Sequence, residues 1–405
     1  MYQYHTLNNG IRIIFRQNGS AVTHAGVYIN IGSRDESGRE EGMAHFIEHS
    51  IFKGTEHRRA YHILNRIDGV GGELNAFTTK EETCIYASAL SIYLDRCLEL
   101  FADILFHSTF PDKEIEKEKS VVLEEINSYK DTPAELIYDD FEEYIFAGHP
   151  LAHNILGNKK NVRRFTTDEI KDFMRRNYTT ERMVISIVGN EDFGKVVRLC
   201  EKHFGEYESK SSAADRSTKP EYKQFNITLA RHTHQMHVMV GFPALDVYDK
   251  HKAAFSLMNN IIGGPAMNSR LNVSIRERYG FCYSIESQYT PFSDAGLFYI
   301  YAGIEAEAHD RFLELVRKEL NKLQEEKLST LQLHAAKQQY IGQLAINNEL
   351  ALNEMQSIGK SCLTYGKVDT LEEMAQEVEA VGSDEIRDLA NTLFGEGSMS
   401  LLIYQ

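Results

Sequence analysis

Two histidines and a glutamate occur within the short segment HFIEH, His45 to His49. On a helix, residues four apart are separated by about 40° around the axis, so their side chains adjoin and can hold one ion. Glu48 falls on the same side of the helix, but its place between the histidines makes it a poor third ligand. It is well placed to take a proton from a water molecule that a metal activates. The segment therefore predicts a catalytic zinc site with Glu48 as the general base.

The surroundings of this segment favour a metal site over a helix that carries two surface histidines. Ala44, Phe46 and Ile47 are apolar, which predicts a largely buried helix. Buried His and Glu side chains are rarely left without a partner or a metal. The order HxxEH is the reverse of HExxH and is typical of a separate group of zinc peptidases.

A third ligand is expected from a carboxylate on another helix, because catalytic zinc has three protein ligands and an open position. Residues 114–129, EIEKEKSVVLEEINSY, form a strong helix candidate. Glu118 and Glu125 are two turns apart on one face, whereas Glu124 points about 100° away from Glu125 and is predicted to be solvated. Most acids of this segment are typical of a solvated helix face. Spacing alone leaves the choice between Glu118, Glu124 and Glu125 open.

Three segments together resemble the pitrilysin-type metallopeptidases, most of all the branch of mitochondrial processing peptidase. They read HFIEH, GGELNAFTTKEETCIYA and EKEKSVVLEEI, and the resemblance covers nearly the whole chain. It implies one Zn²⁺ ion per chain, held by His45, His49 and Glu125. It also implies that Glu118 orients an imidazole ligand, a role that carboxylates beside metal sites commonly have.

The same resemblance implies which residues contact a peptide substrate. Asn75 and Ala76 lie in the strand after GVGG, which in the family is an edge strand that pairs with substrate backbone. Without the resemblance, an internal strand is an equal alternative. Arg276 and Tyr283 have the seven-residue spacing of the family's Arg–Tyr pair, which can stabilise a developing oxyanion. From the residues alone, Arg276 would be a surface residue and Tyr283 a half-buried strand aromatic.

The elements that must position these residues recur in two similar halves. HFIEH is predicted on a helix over about 43–52 that follows the strand AGVYINI, and the glutamates on a helix over about 112–131. In the second half, HVMVGF precedes the helix AAFSLMNNIIGG, in which Phe255 aligns with Phe46. Apolar residues there replace both histidines and Glu48. The repeated order predicts an ancient duplication and an α+β fold of two sandwich-like domains.

The two copies are predicted to form separate domains, because 405 residues exceed what one hydrophobic core usually supports. Residues 1–205 form the expected zinc-binding domain. Residues 222–405 form a degenerate copy that carries Arg276 and Tyr283. Between them, residues 206–221 are polar and small, which favours an interdomain linker over a long surface loop.

Composition limits the class of protein and its partners. Hydrophobic residues make up 42% and charged residues 25%, as in globular chains, and no apolar run approaches the roughly 18 residues of a membrane helix. A formal net charge of −15 makes nucleic acid a poor partner and favours basic ones. The five cysteines are widely spaced and no targeting pattern opens the chain, so a cytoplasmic location is expected.

These features predict a zinc-dependent endopeptidase for short unfolded peptides. The acidic composition favours peptides that carry Lys or Arg, and the alternative is that the acids only keep the exterior soluble. Members of the resembled family enclose peptides in a clamshell chamber of four such domains, which implies a homodimer of two-domain chains. In that dimer Arg276 and Tyr283 would reach the zinc site of the partner subunit. Two alternatives stay open: a non-catalytic scaffold similar to subunits of respiratory complexes, and a catalytic chain that needs a different partner chain.

Overall fold

The computed structural model describes residues 1–208, 216, 218–231, 233–395 and 397–405. Within these residues the chain forms two β-sheets with helices packed against them, which confirms the predicted α+β fold. The strands, in chain order, are β1 (Tyr2–Thr6), β2 (Arg12–Gln17), β3 (Val22–Ile29), β4 (Glu73–Thr78), β5 (Thr83–Leu90), β6 (Met183–Gly189), β7 (Asn226–Leu229), β8 (Met236–Pro243), β9 (Cys282–Pro291), β10 (Gly296–Ile304) and β11 (Ser400–Tyr404).

The helices separate these strands along the chain. They are α1 (Met43–Ser50), α2 (Ala60–Asp68), α3 (Leu94–Phe106), α4 (Asp112–Lys130), α5 (Pro133–Ile145), α6 (Lys159–Val162), α7 (Thr167–Asn177), α8 (Phe193–Phe204), α9 (Lys252–Gly263), α10 (His309–Glu325), α11 (Thr330–Asn348), α12 (Ala351–Tyr365), α13 (Leu371–Ala380) and α14 (Ser383–Leu393). A π-helical segment, Asn272–Glu277, precedes β9. Across the described residues, no helix has both the length and the apolar character that a membrane span requires.

Contacts divide the chain into two compact units, each discontinuous in sequence. The first unit contains residues 1–127, the described part of 153–214, and 346–370. The second unit contains residues 128–152, the described part of 215–345, and 371–405.

The first unit contains a six-stranded sheet in the order β1-β2-β6-β3-β5-β4. Strands β2 and β6 run parallel, and the other neighbours are antiparallel. The central strand β6 reads MVISIVG and is buried along its whole length, as expected for a strand that is covered on both faces. Residues of α1, α3 and α8 pack on one face of the sheet, and α12 packs on the other. Strand β4 is left at an edge, next to α1.

In its described residues, the second unit repeats this topology without a counterpart of β1. Its sheet has the order β7-β11-β8-β10-β9, with β7 and β11 parallel and the other neighbours antiparallel. The parallel pair, the antiparallel centre and the edge hairpin thus recur in the same sequence order as in the first unit. Helix α9 takes the place of α1, and its Phe255 is buried like Phe46. This repetition of the topology is what the duplication predicts.

Helices α5 and α12 each belong to a compact unit formed mainly by the other sequence repeat. Helix α5 lies in the first repeat but belongs to the second unit, and α12 lies in the second repeat but belongs to the first unit. Amphipathic periodicity indicates which face of a helix is buried but not which sheet covers it. The compact units therefore differ from the ranges 1–205 and 222–405, which stay a prediction for the extent of the two repeats. The expected linker, 206–221, lies partly outside the described residues.

The close approach of α12 to the first sheet gives a stability prediction. A Cβ atom on Gly359 would lie 2.5 Å from the Tyr28 ring and 2.9 Å from the Cβ of Ser186. Gly359→Ala should therefore lower the free energy of unfolding by about 1–3 kcal/mol, because the added methyl group overpacks this contact. The measurement is the urea midpoint of the purified chain.

Gly342→Ala is the matched control, since Gly342 is also helical and nothing lies within 4 Å of its added Cβ. This variant should be unchanged or stabilised by up to about 1 kcal/mol, because Ala has the higher helix propensity. Equal midpoints for the two variants would contradict the close packing of α12.

Candidate metal centre

Helix α1 is anchored at its N-terminus by a buried carboxylate. Gly42, at the N-cap, has a φ of 92° and no side chain that could accept a hydrogen bond. Instead, Glu36 accepts hydrogen bonds from the backbone N–H groups of Gly42 (2.8 Å) and Ala44 (2.7 Å). Burial raises the pKa of Glu36, and the two N–H donors oppose this shift. Glu36 thereby satisfies two of the N–H groups that a helix start leaves unpaired and holds the helix in place.

The two histidines of α1 meet a carboxylate from α4. The ring centroids of His45 and His49 are 4.6 Å apart with an interplanar angle of 61°. Glu125 Oε1 lies 3.7 Å from His45 Nε2, and Glu125 Oε2 lies 3.3 Å from His49 Nε2. One ligand atom from each side chain lies within 4.8 Å of the other two. The structure thus brings together the three residues that the sequence predicts as metal ligands.

Glu118 approaches the second ring nitrogen of His49. Its Oε1 lies 3.0 Å from His49 Nδ1, and its Oε2 lies 2.7 Å from the Nζ of Lys53. A carboxylate at Nδ1 favours the tautomer that carries its proton there, which leaves a lone pair on Nε2. Glu118 is therefore positioned to orient His49 toward Glu125, while Glu124 is exposed and lies outside the group.

The surroundings of His45 and His49 shift the pKa values of these two histidines in opposite directions. Burial and the neighbouring His49 lower the pKa of His45 to about 4. Burial alone would also lower the pKa of His49, but the carboxylates of Glu118 and Glu125 raise it to about 9. The contact with His49, at 3.3 Å, in turn lowers the pKa of Glu125.

The donor atoms fit a zinc ion. Glu125 Oε2, one of the converging atoms, is buried and has no hydrogen-bond partner among the described residues. A buried polar atom without a partner is costly, and such atoms are often explained by an ion or water. Two imidazoles and one carboxylate form a ligand set that zinc takes in catalytic sites, with a further position left open.

Glu48 lies on the same turn as the histidines but outside the group of converging donor atoms. Its side chain is half-buried. Burial raises the pKa of Glu48, Thr78 and His49 oppose this shift, and Glu125 adds to it. A carboxylate with a raised pKa accepts a proton more readily, so both position and environment suit a general base.

The strand predicted to bind substrate lies at a sheet edge. Strand β4 pairs with β5 alone in the described part of the chain, so the other side of β4 is open to an added strand. Asn75 is exposed and Ala76 is half-buried. The Ala76 N–H donates a 2.9 Å hydrogen bond to the Asn75 side-chain oxygen. An added strand that used this N–H would have to displace the Asn75 side chain.

Arg276 and Tyr283 form a pair on the second unit. The guanidinium carbon of Arg276 lies 6.0 Å from the centroid of the Tyr283 ring, which is within the range of a cation–π contact. Tyr283 is 86% exposed. The sequence considered alone would give a half-buried Tyr283, and the structure differs because this residue points outward from the edge strand β9.

Two positioning residues were missed by the sequence analysis. Lys53 ion-pairs with Glu118, and Glu36 caps the helix that carries both histidines. Lys53 follows His49 by four residues, a spacing that could have suggested it. No comparable sequence pattern identifies Glu36, because its hydrogen bonds to the start of α1 depend on how the loop before α1 folds.

Matches to known proteins cover almost the entire chain. The family model described as Insulinase (Peptidase family M16) matches residues 12–159. The model described as Peptidase M16 inactive domain matches residues 164–340, which include α9 with its apolar residues. Two curated relatives are named uncharacterized zinc proteases. YmxG of Bacillus subtilis is 36% identical, covering 100% of this chain and 98% of the relative, and a protein of Streptomyces coelicolor is 33% identical, covering 96% and 86%.

Solved structures share the fold. A protease from Helicobacter pylori superposes with a TM-score of 0.92 at 22% identity and covers 100% of this chain and 99% of that chain. A structure described as a peptidase M16 inactive domain from Pseudomonas fluorescens has a TM-score of 0.91 at 20% identity, with 100% and 97% covered.

Proposed function

This chain belongs to peptidase family M16, and we propose that it is a zinc-dependent endopeptidase that cleaves short unfolded peptides. The observation that carries the proposal is the convergence of His45, His49 and Glu125, with Glu118 on the remaining nitrogen of His49. Relatives that match 100% and 96% of the chain are named zinc proteases. The three convergent residues would hold one catalytic zinc ion per chain.

The proposed chemistry assigns separate roles to the side chains of α1 and α4. When bound, zinc would supply a Lewis acid that polarises a peptide carbonyl and acidifies a water molecule. Glu48 takes a proton from the attacking water and delivers it to the leaving amide nitrogen. Glu118 keeps the His49 ring in its orientation through the contact at Nδ1, and Lys53 holds Glu118 by an ion pair.

The finer assignment is to the branch of mitochondrial processing peptidase, which HFIEH and the following segments resemble. Substrate would add a strand at Asn75 and Ala76, on the open edge of β4. A homodimer would enclose the peptide, with Arg276 and Tyr283 of one chain reaching the zinc site of the partner chain. The exposure of Tyr283 supports this, because a large aromatic side chain that is mostly exposed can contact another chain.

A non-catalytic scaffold is the main alternative, and a chain that needs a different partner is the second. The presence of both the histidine group and the Arg–Tyr pair on one chain favours a self-sufficient homodimer. The proposed cytoplasmic location rests on the five cysteines, all of which are buried and free.

The first prediction separates proton transfer from metal binding. Glu48→Gln should retain zinc and lower the rate of peptide cleavage by at least about 10²-fold, because the amide cannot accept a proton. Glu125→Gln should bind one zinc ion fewer than the unmodified chain, because it loses a ligand. The measurements are zinc content and cleavage of an unfolded peptide, followed by mass spectrometry.

Glu124→Gln is the matched control, since this exposed neighbour should keep both zinc and activity. Equal zinc loss in the Glu124 and Glu125 variants would contradict the ligand assignment. An unmodified chain that binds zinc but cleaves no peptide would favour the scaffold or the need for another partner.

The second prediction tests the shared active site by complementation. Chains with Glu48→Gln and chains with Arg276→Ala and Tyr283→Phe should each be inactive alone. After mixing and subunit exchange, about a quarter of the unmodified activity should return, because half of the dimers are mixed and each has one complete site. Persistent inactivity, with mixed dimers shown by mass spectrometry of the intact assembly, would place all catalytic groups within one chain.

The third prediction concerns substrate charge. A net charge of −15 favours peptides that carry Lys or Arg, because the walls of a closed chamber focus a negative potential. The acidic residues before α1 contribute less to this negative potential than their number suggests, since Glu36 caps α1 and Glu40 pairs with Arg176. The rate ratio between a basic peptide and its charge-neutral analogue should exceed one at low salt.

Added salt should reduce this ratio, because the screening length shortens to about 8 Å at physiological ionic strength. A ratio near one at low salt would leave the size of the peptide, rather than its charge, as the basis of selection.

A further inference from the structure

A second group of metal-ligand side chains lies where the loop after α1 crosses the end of α3. Thr55 and Ser108 form an isolated β-bridge, and the Glu56 N–H donates a 2.9 Å hydrogen bond to the carbonyl of His107. These backbone contacts bring Glu56 and His57 from the loop next to His107, which directly follows α3. The position of the group is thus set by backbone pairing rather than by exposed side chains alone.

The two imidazoles of this group are arranged much like the pair on α1. The ring centroids of His57 and His107 are 4.8 Å apart with an interplanar angle of 71°, against 4.6 Å and 61° for His45 and His49. Glu56 Oε2 lies 3.5 Å from His107 Nδ1. One ligand atom of each of the three side chains lies within 4.8 Å of the other two.

Each imidazole also has an orienting partner on its other nitrogen. Asp103 is 4% exposed, and its Oδ1 lies 2.6 Å from His57 Nδ1. The hydroxyl of Tyr207 lies 2.7 Å from His107 Nε2, and the Tyr207 ring is stacked on Phe106 at 3.8 Å. A carboxylate on one ring nitrogen fixes the tautomer and leaves the other nitrogen for an ion, and a hydroxyl that accepts the ring N–H hydrogen bond does the same.

Asp103 is itself held in place by other donors. It accepts hydrogen bonds from the Thr55 hydroxyl (2.9 Å) and from Arg58 (2.6 Å), in addition to its contact with His57. The buried carboxylate therefore has the same relation to His57 that Glu118 has to His49. This arrangement leaves His57 Nε2, His107 Nδ1 and the Glu56 carboxylate available to one ion.

We propose that Glu56, His57 and His107 form a second zinc site, separate from the centre on α1. Two imidazole nitrogens and one carboxylate oxygen suit zinc, whereas magnesium and calcium prefer sites made only of oxygen ligands. Glu56 and His57 are exposed, so water can complete the coordination and the ion can exchange with solvent. An ion here would fasten the loop that joins α1 and α2 to the end of α3.

Zinc at this site should stabilise the folded chain, because an ion that binds the folded state alone shifts the unfolding equilibrium. The effect does not require the first centre. It is therefore observed most clearly in a His45→Ala/His49→Ala protein, which lacks the ligands on α1. Zinc should raise the Tm of this protein by about a few degrees.

The experiment counts zinc by equilibrium dialysis against Zn²⁺ followed by elemental analysis of the full-length chain. The unmodified chain should bind two ions, and the His45→Ala/His49→Ala protein should lose one of them. His107→Ala should lose the other, and the combined variant should lose both, together with the rise in Tm. His62→Ala is the matched control, because His62 is an exposed histidine on α2 outside the group and its loss should change nothing.

Glu56→Gln covers the case in which His107→Ala does not fold, since this exposed substitution leaves both imidazoles and their partners in place. It should weaken the second site about tenfold or more by removing one of three ligands. If the folded His45→Ala/His49→Ala protein binds no zinc, the second site does not exist. If it binds zinc but Glu56→Gln and His107→Ala do not change the affinity, the ion lies elsewhere and the proposal is likewise overturned.

Discussion

The metal centre depends on one rigid turn of helix α1 that holds two imidazoles 4.6 Å apart beside a largely apolar core. Burial disfavours charged groups and requires partners for polar atoms, so such a turn is stable only if other side chains or an ion complete it. Glu118 and Glu125 meet this requirement by approaching the two nitrogens of His49. Because both carboxylates belong to α4, the relative placement of α1 and α4 determines whether the donor atoms converge.

The second unit shows that the same fold forms without a polar turn of this kind. Its sheet repeats the strand order of the first unit, and the positions of the two histidines and Glu48 are taken on α9 by Ala254, Met258 and Leu257, all buried in the core. The polar turn of α1 is therefore not needed to build the fold. The second unit instead displays Arg276 beside the exposed Tyr283, a combination suited to contact with another chain or a peptide.

The sequence predicted the elements that carry the centre closely, because helix signals are encoded in neighbouring residues. The helix expected over about 43–52 spans Met43–Ser50, and that expected over about 112–131 spans Asp112–Lys130. Periodicity did not distinguish Glu125 from its neighbours, since the choice depends on how two helices pack. Long-range contacts also determine which sheet α5 and α12 each cover, and they bring His57 next to His107. Such contacts are not visible in local patterns.

The most direct test of the account is an anomalous diffraction map at the zinc absorption edge, from crystals of the unmodified chain grown with zinc. The account predicts a strong peak bounded by His45, His49 and Glu125, with Glu118 hydrogen bonded to the far nitrogen of His49. A peak coordinated by Glu124 or Glu48 in place of Glu125, or no peak at α1 in a chain that cleaves peptides, would contradict it.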